Sequence, residues 1–265
     1  MKRKLGINAS CIPDLTESDA LEKIKTAGFE SVFADTFDVK TACIMREKCE
    51  KLGLSFDFLH APYTHINDIW CSGLDYLEVR NGIKSSIDSA AAAGVPIVVV
   101  HVSQGWFPPQ ICDLGFARFD GIVEYAISKG IKVAFENLRK FGNHAAIMER
   151  YEKISEVGFC YDCGHENCYT ETVDFLSIYG KRTFCMHISD NPGRDRKDML
   201  KDTDYHLLPF DGNIDYADMM TRIEKSGYTG SLTLEVMKEN VYKEMSDDDF
   251  LGTAYERILK ISNYE

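Results

Sequence analysis

Eight short runs of β-branched and apolar residues recur along this chain, and a longer stretch with helical periodicity follows each of them. The runs cover residues 5–9, 31–34, 54–59, 97–102, 132–135, 158–161, 183–188 and 232–236. Leu21, Ile24 and Ala27 in the first intervening stretch return at the spacing of one helix face. Thr16 is its predicted N-cap, with Asp19 three residues on where a capping box carries an acid. Further helices are predicted over 43–52, 74–93, 116–129, 145–154, 173–179, 217–225 and 250–261. Gly53, Gly94 and Gly130 stand just past three of these, where a left-handed C-cap favours glycine. Strands that alternate with helices pair in parallel, because a parallel neighbour is reached only through a crossover.

Eight such units within 265 residues predict one α/β domain over 1–265, a single (β/α)8 TIM barrel. No GxGxxG or GxxxxGK[ST] follows the first run, so a doubly wound nucleotide-binding sheet lacks its signature. Hydrophobic residues are 45% of the chain, enough for a sizeable core. No apolar run reaches the 18 residues that a membrane helix requires. The opening Met1-Lys2-Arg3-Lys4 is basic, but Asn8, Ser10 and Asp14 break up the apolar stretch behind it, so no signal peptide is expected. Nine scattered cysteines, an odd number, read as reduced thiols in a cytoplasm. Cys160 and Cys163 form a CxxC without the second pair of a zinc ribbon. A net charge of −12 argues against nucleic acid as the main partner.

The unusual residues cluster at the C-terminal ends of the runs. His60, His101, His165 and His187 lie at or just past such ends, and His206 lies in the loop before the last run. Glu136, Asp162, Asp204 and Glu235 mark the same places. In a barrel these positions converge on one face, the face where active sites of this architecture sit. A carboxylate at the end of an apolar run such as Val133-Ala134-Phe135-Glu136 is costly unless paired or metal-bound. Four acids and five imidazoles together predict a divalent metal site. Mixed carboxylate and imidazole without thiolate suits Mn²⁺, Co²⁺, Zn²⁺ or Fe²⁺, and the carboxylates admit Mg²⁺. Cys185, two residues before His187, is expected on the same side of its strand but deeper in the barrel. His65 and His144 fall outside the constellation and read as ordinary loop or helix-start residues.

These motifs resemble the xylose-isomerase-like barrels, which include sugar and sugar-phosphate isomerases and epimerases together with endonuclease IV. The resemblance rests on His60-Ala-Pro-Tyr63, Val-Val-Val-His101, Phe-Glu136-Asn137, Tyr-Asp162-Cys-Gly-His165 and Met-His187-Ile-Ser-Asp190-Asn191. It continues through Asp204-Tyr-His206-Leu-Leu-Pro-Phe-Asp211-Gly-Asn-Ile-Asp215 and Leu234-Glu235-Val236. Resemblance to the isomerase branch implies one divalent ion held by Glu136, Asp162, His187 and Glu235, with His165 contacting substrate. Resemblance to the endonuclease branch implies three zinc ions on a larger set that adds His60, His101, His165, Asp204 and His206. All nine ligand positions are present, so ligand identity alone leaves both branches open.

Three departures favour the sugar enzyme. The segment after the second run carries Asp35 and Asp38, where a DNA-reading loop wants cations. The last ligand segment reads Pro-Phe-Asp211-Gly, where the endonucleases typically have Gly-Glu-Gly. The whole chain is acidic. Tyr63 fits a DNA-penetrating position of the nucleases and equally an aromatic of the sugar enzymes. The expected reaction is therefore isomerisation or epimerisation of a sugar or sugar phosphate, with Glu136 and Glu235 as ligands that also exchange protons. An inositol-type dehydratase and a catalytically silent sugar-binding barrel remain alternatives. Trp106 and Phe107 beside His101 offer an aromatic wall or a hydrophobic lid. Arg194 is the expected substrate-binding cation; Arg196 and Lys197 share its loop, and Arg139 and Lys140 offer a second basic pair. Asn137 and Asp190 are expected to orient ligands, and a homodimer is the default assembly.

Overall fold

The computed structural model describes residues 3–264; Met1 and Lys2 of the basic opening lie outside the described residues. Eight strands form one sheet: β1 (Leu5–Asn8), β2 (Ser31–Ala34), β3 (Ser55–His60), β4 (Ile97–Val100), β5 (Lys132–Glu136), β6 (Val157–Asp162), β7 (Thr183–His187) and β8 (Leu232–Leu234). Each matches one apolar run of the sequence. Neighbours are parallel in the order β7-β6-β5-β4-β3-β2-β1-β8. The ring closes between β7 and β8, where Ile188 bridges Leu234 in parallel. Ile188 N donates to Thr233 O at 2.8 Å and Glu235 N to Ile188 O at 2.9 Å across that seam. The result is the expected barrel.

The helices on the outside are α1 (Glu17–Ala27), α2 (Val39–Leu52), α3 (Tyr76–Ala93), α4 (Asp113–Ser128), α5 (Phe141–Arg150), α6 (Cys163–Tyr169), α7 (Phe175–Tyr179), α8 (Tyr216–Ser226) and α9 (Asp247–Ser262). Thr16 caps α1 as expected, its Oγ1 accepting from Asp19 N at 3.2 Å. Gly53 ends α2 in the left-handed region at φ 66°. Some boundaries differ from the periodicity. Helix α2 starts four residues early because Asp38 caps it, accepting from Thr41 N at 2.8 Å. Helix α5 occupies 141–150 in place of 145–154, with Phe141 packed against Phe175 at 5.6 Å. Helix α6 is unanticipated; Asp162 caps it. Among the described residues no helix is long and apolar enough to cross a membrane.

Most of the core lies between sheet and helices, where Leu5, Ile7, Phe29, Phe119, Phe135 and Phe250 are fully buried. Burying each such side chain stabilises the fold by roughly 1.5–3 kcal/mol relative to exposing it. A second apolar layer fills the barrel itself: Phe33, Phe58, Val99, Ala134, Cys160 and Cys185. Side chains two residues apart share a strand face. The residues two positions beyond Phe58, Val99, Ala134, Cys160 and Cys185 are His60, His101, Glu136, Asp162 and His187. The inner apolar layer is thus a platform, and the polar residues stand on it at the C-terminal mouth.

Candidate metal centre and substrate cavity

Glu136 is the hub. Its Oε2 lies 3.2 Å from His60 Nε2 and 2.9 Å from His101 Nε2. Its Oε1 lies 3.1 Å from His165 Nδ1 and 3.2 Å from His187 Nδ1. His187 Nδ1 also stands 3.3 Å from Glu235 Oε2 and 3.7 Å from Asp162 Oδ2. Above these lies a second tier, in which Asp204 Oδ2 is 3.0 Å from His165 Nε2 and 3.4 Å from His206 Nε2. All nine constellation residues therefore meet at one mouth, although they span positions 60 to 235.

Local structure explains the placement. Asp162 ends β6 and caps α6, its Oδ1 accepting from His165 N at 2.6 Å. That short helix swings His165 back over the barrel. Asn137 joins β5 to β6 at their ends: its Nδ2 donates to Asp162 O and its Oδ1 accepts from Asp162 N, both at 2.8 Å. It thus positions Asp162 through the backbone. Asp190, expected to orient ligands, instead organises the loop after β7. It accepts from Asn191 N at 2.9 Å and Phe210 N at 2.8 Å.

The charges are strongly coupled. Burial pushes the Glu136 carboxyl up, but the imidazoles of His187 and His101 outweigh it and hold the group well below the usual carboxylate range. Burial alone would depress His187, yet Glu235 and Glu136 raise it well above its ordinary value. His206 obeys the same logic: against burial, Asp204 lifts it to about 10. Burial wins at His101, which falls to about 4. Burial also raises Glu235, against the pull of His187 and His206.

Carboxylate oxygens this close to imidazole nitrogens allow two arrangements: protons on the imidazoles, or a cation between the groups. The donor set fits a cation. Ligand-capable atoms of Glu136, Asp162, His187 and Glu235 all lie within 4.8 Å of one another, as do those of His60, His101 and Glu136. Asp162 Oδ2 is buried with no hydrogen-bond partner. His60 Nδ1 donates to Ala61 O at 2.9 Å, and in the neutral ring this leaves the Nε2 lone pair facing Glu136. A divalent ion in the four-residue group would satisfy Asp162 Oδ2, and one held by His60, His101 and Glu136 would satisfy His60 Nε2.

Above the cluster opens a cavity of about 870 Å³. His60, Tyr63, His101, Trp106, Glu136, His165, Asp204, His206 and Glu235 line it; Asp162 and His187 lie beneath. Tyr63 stacks on His101 with centroids 4.3 Å apart. Trp106 does more than form a wall: its Nε1 donates to Leu200 O at 2.8 Å, tying the loop after β4 to the loop after β7. Arg194 is not brought to the lining; its guanidinium lies 5.0 Å from the Trp106 ring centroid. The guanidinium on the lining is that of Arg139, which donates to Tyr169 Oη at 2.5 Å and pairs with Asp202. Sequence reasoning missed Asn8, Ser10, Tyr169 and Asp202 as lining residues. Asn8 carries the signal that flagged Glu136, a polar residue ending an apolar run; Tyr169 and Asp202 carry none. His144 sits buried inside α5, with Nε2 3.3 Å from Phe135 O, away from the mouth.

A family model described as a xylose isomerase-like TIM barrel matches residues 21–252. The chain belongs to this family. It is 32% identical to an uncharacterized protein of Sinorhizobium fredii over 198 residues, 68% of this chain. The match covers 58% of that relative, so the chain spans under two thirds of the relative's length. Its structure is similar to a xylose isomerase domain protein from Planctomyces limnophilus, with a TM-score of 0.79 at 15% identity over 98% of both chains. It is also similar to a D-allulose 3-epimerase from Methylomonas sp. in complex with D-allulose, with a TM-score of 0.74 at 16% identity over 97% of both chains. At such identities the structural likeness is one of fold.

Proposed function

We propose that this protein is a metal-dependent isomerase or epimerase of a sugar. The observation that carries the reading is the convergence of Glu136, Asp162, His187 and Glu235 within 4.8 Å at the floor of an open cavity. The shared fold with an epimerase in complex with D-allulose supports it. Moving a carbonyl along a sugar, or inverting a carbinol beside one, begins with taking a proton from carbon. A divalent cation on the four ligands supplies Lewis-acid stabilisation of the negative charge that then develops on the sugar oxygens. Glu235 is the carboxylate more open to the cavity, its side chain 18% exposed against 1% for Glu136, and it removes the proton. Glu136, three strands away around the ring, is almost closed off and held ionised by its imidazole neighbours, so it serves as the shared ligand. The proton that Glu235 takes is the one it hands back to carbon after exchange with solvent. His165, Asp204 and His206 line the cavity and bind sugar hydroxyls. Incubation of ketoses and ketose phosphates in D₂O with Mn²⁺ or Co²⁺ tests this directly. Deuterium at carbon is the expected result, and its absence from every substrate sinks the reading.

One observation favours a second reading. His60 and His101 share Glu136 as a further ligand group, so the mouth offers places for more than one ion. An abasic-site endonuclease would bind three zinc ions there. Metal analysis of purified protein separates the two: one equivalent supports the isomerase, while three of zinc with cleavage of abasic duplex DNA supports the nuclease.

A further inference from the structure

We infer that the substrate is an uncharged polyhydroxylated molecule, a free sugar in preference to a sugar phosphate or sugar acid. This rests on the isomerase reading and deepens it. Five carboxylates line the cavity, those of Asp35, Glu136, Asp202, Asp204 and Glu235, against one guanidinium, that of Arg139. That guanidinium is already engaged. It pairs with Asp202, donates to Tyr169 Oη, and lies 4.0 Å from the Tyr169 ring centroid. Two of the loop cations that could have met a phosphate are held in ion pairs off the lining, Arg196 with Glu171 at 2.8 Å and Lys201 with Asp195 at 3.3 Å. Arg194 packs against Trp106 and Lys140 against Phe107 without themselves reaching the lining.

The two sides of the cavity agree. Asp35 comes just after β2 and Arg139 just after β5, so they lie across the ring from each other. On the β2 side Asn8 Nδ2 donates to Ser10 Oγ at 3.2 Å, and Ser10 Oγ donates to Asp35 Oδ2 at 2.8 Å. An extended sugar reaching from one side to the other meets a carboxylate at each. Hydroxyls donate to carboxylates, whereas a phosphate finds no donor in them and is repelled by their charge. A bare arginine would favour a phosphate through a bidentate contact, and Asp202 takes that role first.

The test compares each D-ketohexose with its 6-phosphate, using Mn²⁺-loaded wild-type protein and Asp202→Asn. Asp202 is more than half exposed on its side chain, so the variant should fold, and a melting curve checks that. Wild type is expected to exchange deuterium into a free sugar with kcat/KM about ten-fold or more above its ester. In Asp202→Asn the ratio narrows by about ten-fold, chiefly through the KM of the ester. A wild-type preference for the ester, or a ratio that Asp202→Asn leaves unmoved, overturns the inference while the isomerase reading stands. If nothing exchanges, the isomerase reading fails and calorimetry decides the inference. Binding of a free sugar but not its ester supports it; tighter binding of the ester, or binding of neither, overturns it.

Discussion

Glu136 has two oxygens and four imidazole neighbours, and Glu235 shares His187 with it. Of the pair, Glu235 is the one placed to meet substrate. Glu235→Gln keeps the shape but not the charge, so deuterium exchange is expected to fall by about 10²–10⁴-fold at saturating metal. An activity within a few-fold of wild type would remove Glu235 from the mechanism. His144 shows the opposite use of a histidine. It is buried against Phe159, Phe175 and Tyr179 at 5.2–5.6 Å, and burial lowers its pKa from 6.5 to about 4. Above pH 6.5 the imidazole is neutral in both folded and unfolded chains and adds no pH dependence. Below it, the unfolded chain takes up a proton that the fold refuses until about pH 4, so stability is lost across that window, by up to about 3 kcal/mol. His144→Phe should flatten the difference in urea-unfolding free energy between pH 7 and pH 5 by about 2 kcal/mol. An unchanged slope would place the titration elsewhere.

At the scale of elements, α6 ties fold to chemistry because its cap, Asp162, is also a ligand candidate. The two roles separate by substitution. Asp162→Asn retains an oxygen that can accept from His165 N but loses the charge, so metal affinity should fall at least about ten-fold with little change in metal-free stability. Asp162→Ala should lose both, the metal-free protein unfolding with about 1 kcal/mol less. Denaturant melts and metal titrations of the two variants read these effects separately. Helix α6 is not legible in the sequence because Cys163–Tyr169 is too short for a periodic signal and its N-cap reads as a ligand. Loop elements carry the next dependence. Trp106→Phe removes the N–H that donates to Leu200 O, and KM for sugar should rise while stability changes by no more than about 1 kcal/mol. Steady-state kinetics beside a thermal melt would show the split.

Across the whole molecule, the mouth concentrates carboxylates that a cation would neutralise, so metal and fold should be linked. Chelation is expected to lower the melting temperature, and Mn²⁺ at about 100 times its Kd should restore about 2.7 kcal/mol, read by calorimetry. No shift with any divalent ion would argue against the site. The eight apolar runs and the period-two spacing that sets His187 above Cys185 were legible in the sequence, because both are local consequences of strand geometry. So was the gathering of nine acids and imidazoles at one mouth, since a parallel barrel points every strand's C-terminal end the same way. Which cation faces the cavity was not. Arg194 reads as the substrate-binding cation and Arg139 as part of a second basic pair, and their fates depend on Trp106, Tyr169 and Asp202, which stand far from them in the chain. Periodicity and capping act over a few residues and survive in the one-dimensional order; loop-to-loop contacts across a barrel mouth exist only once the ring has closed.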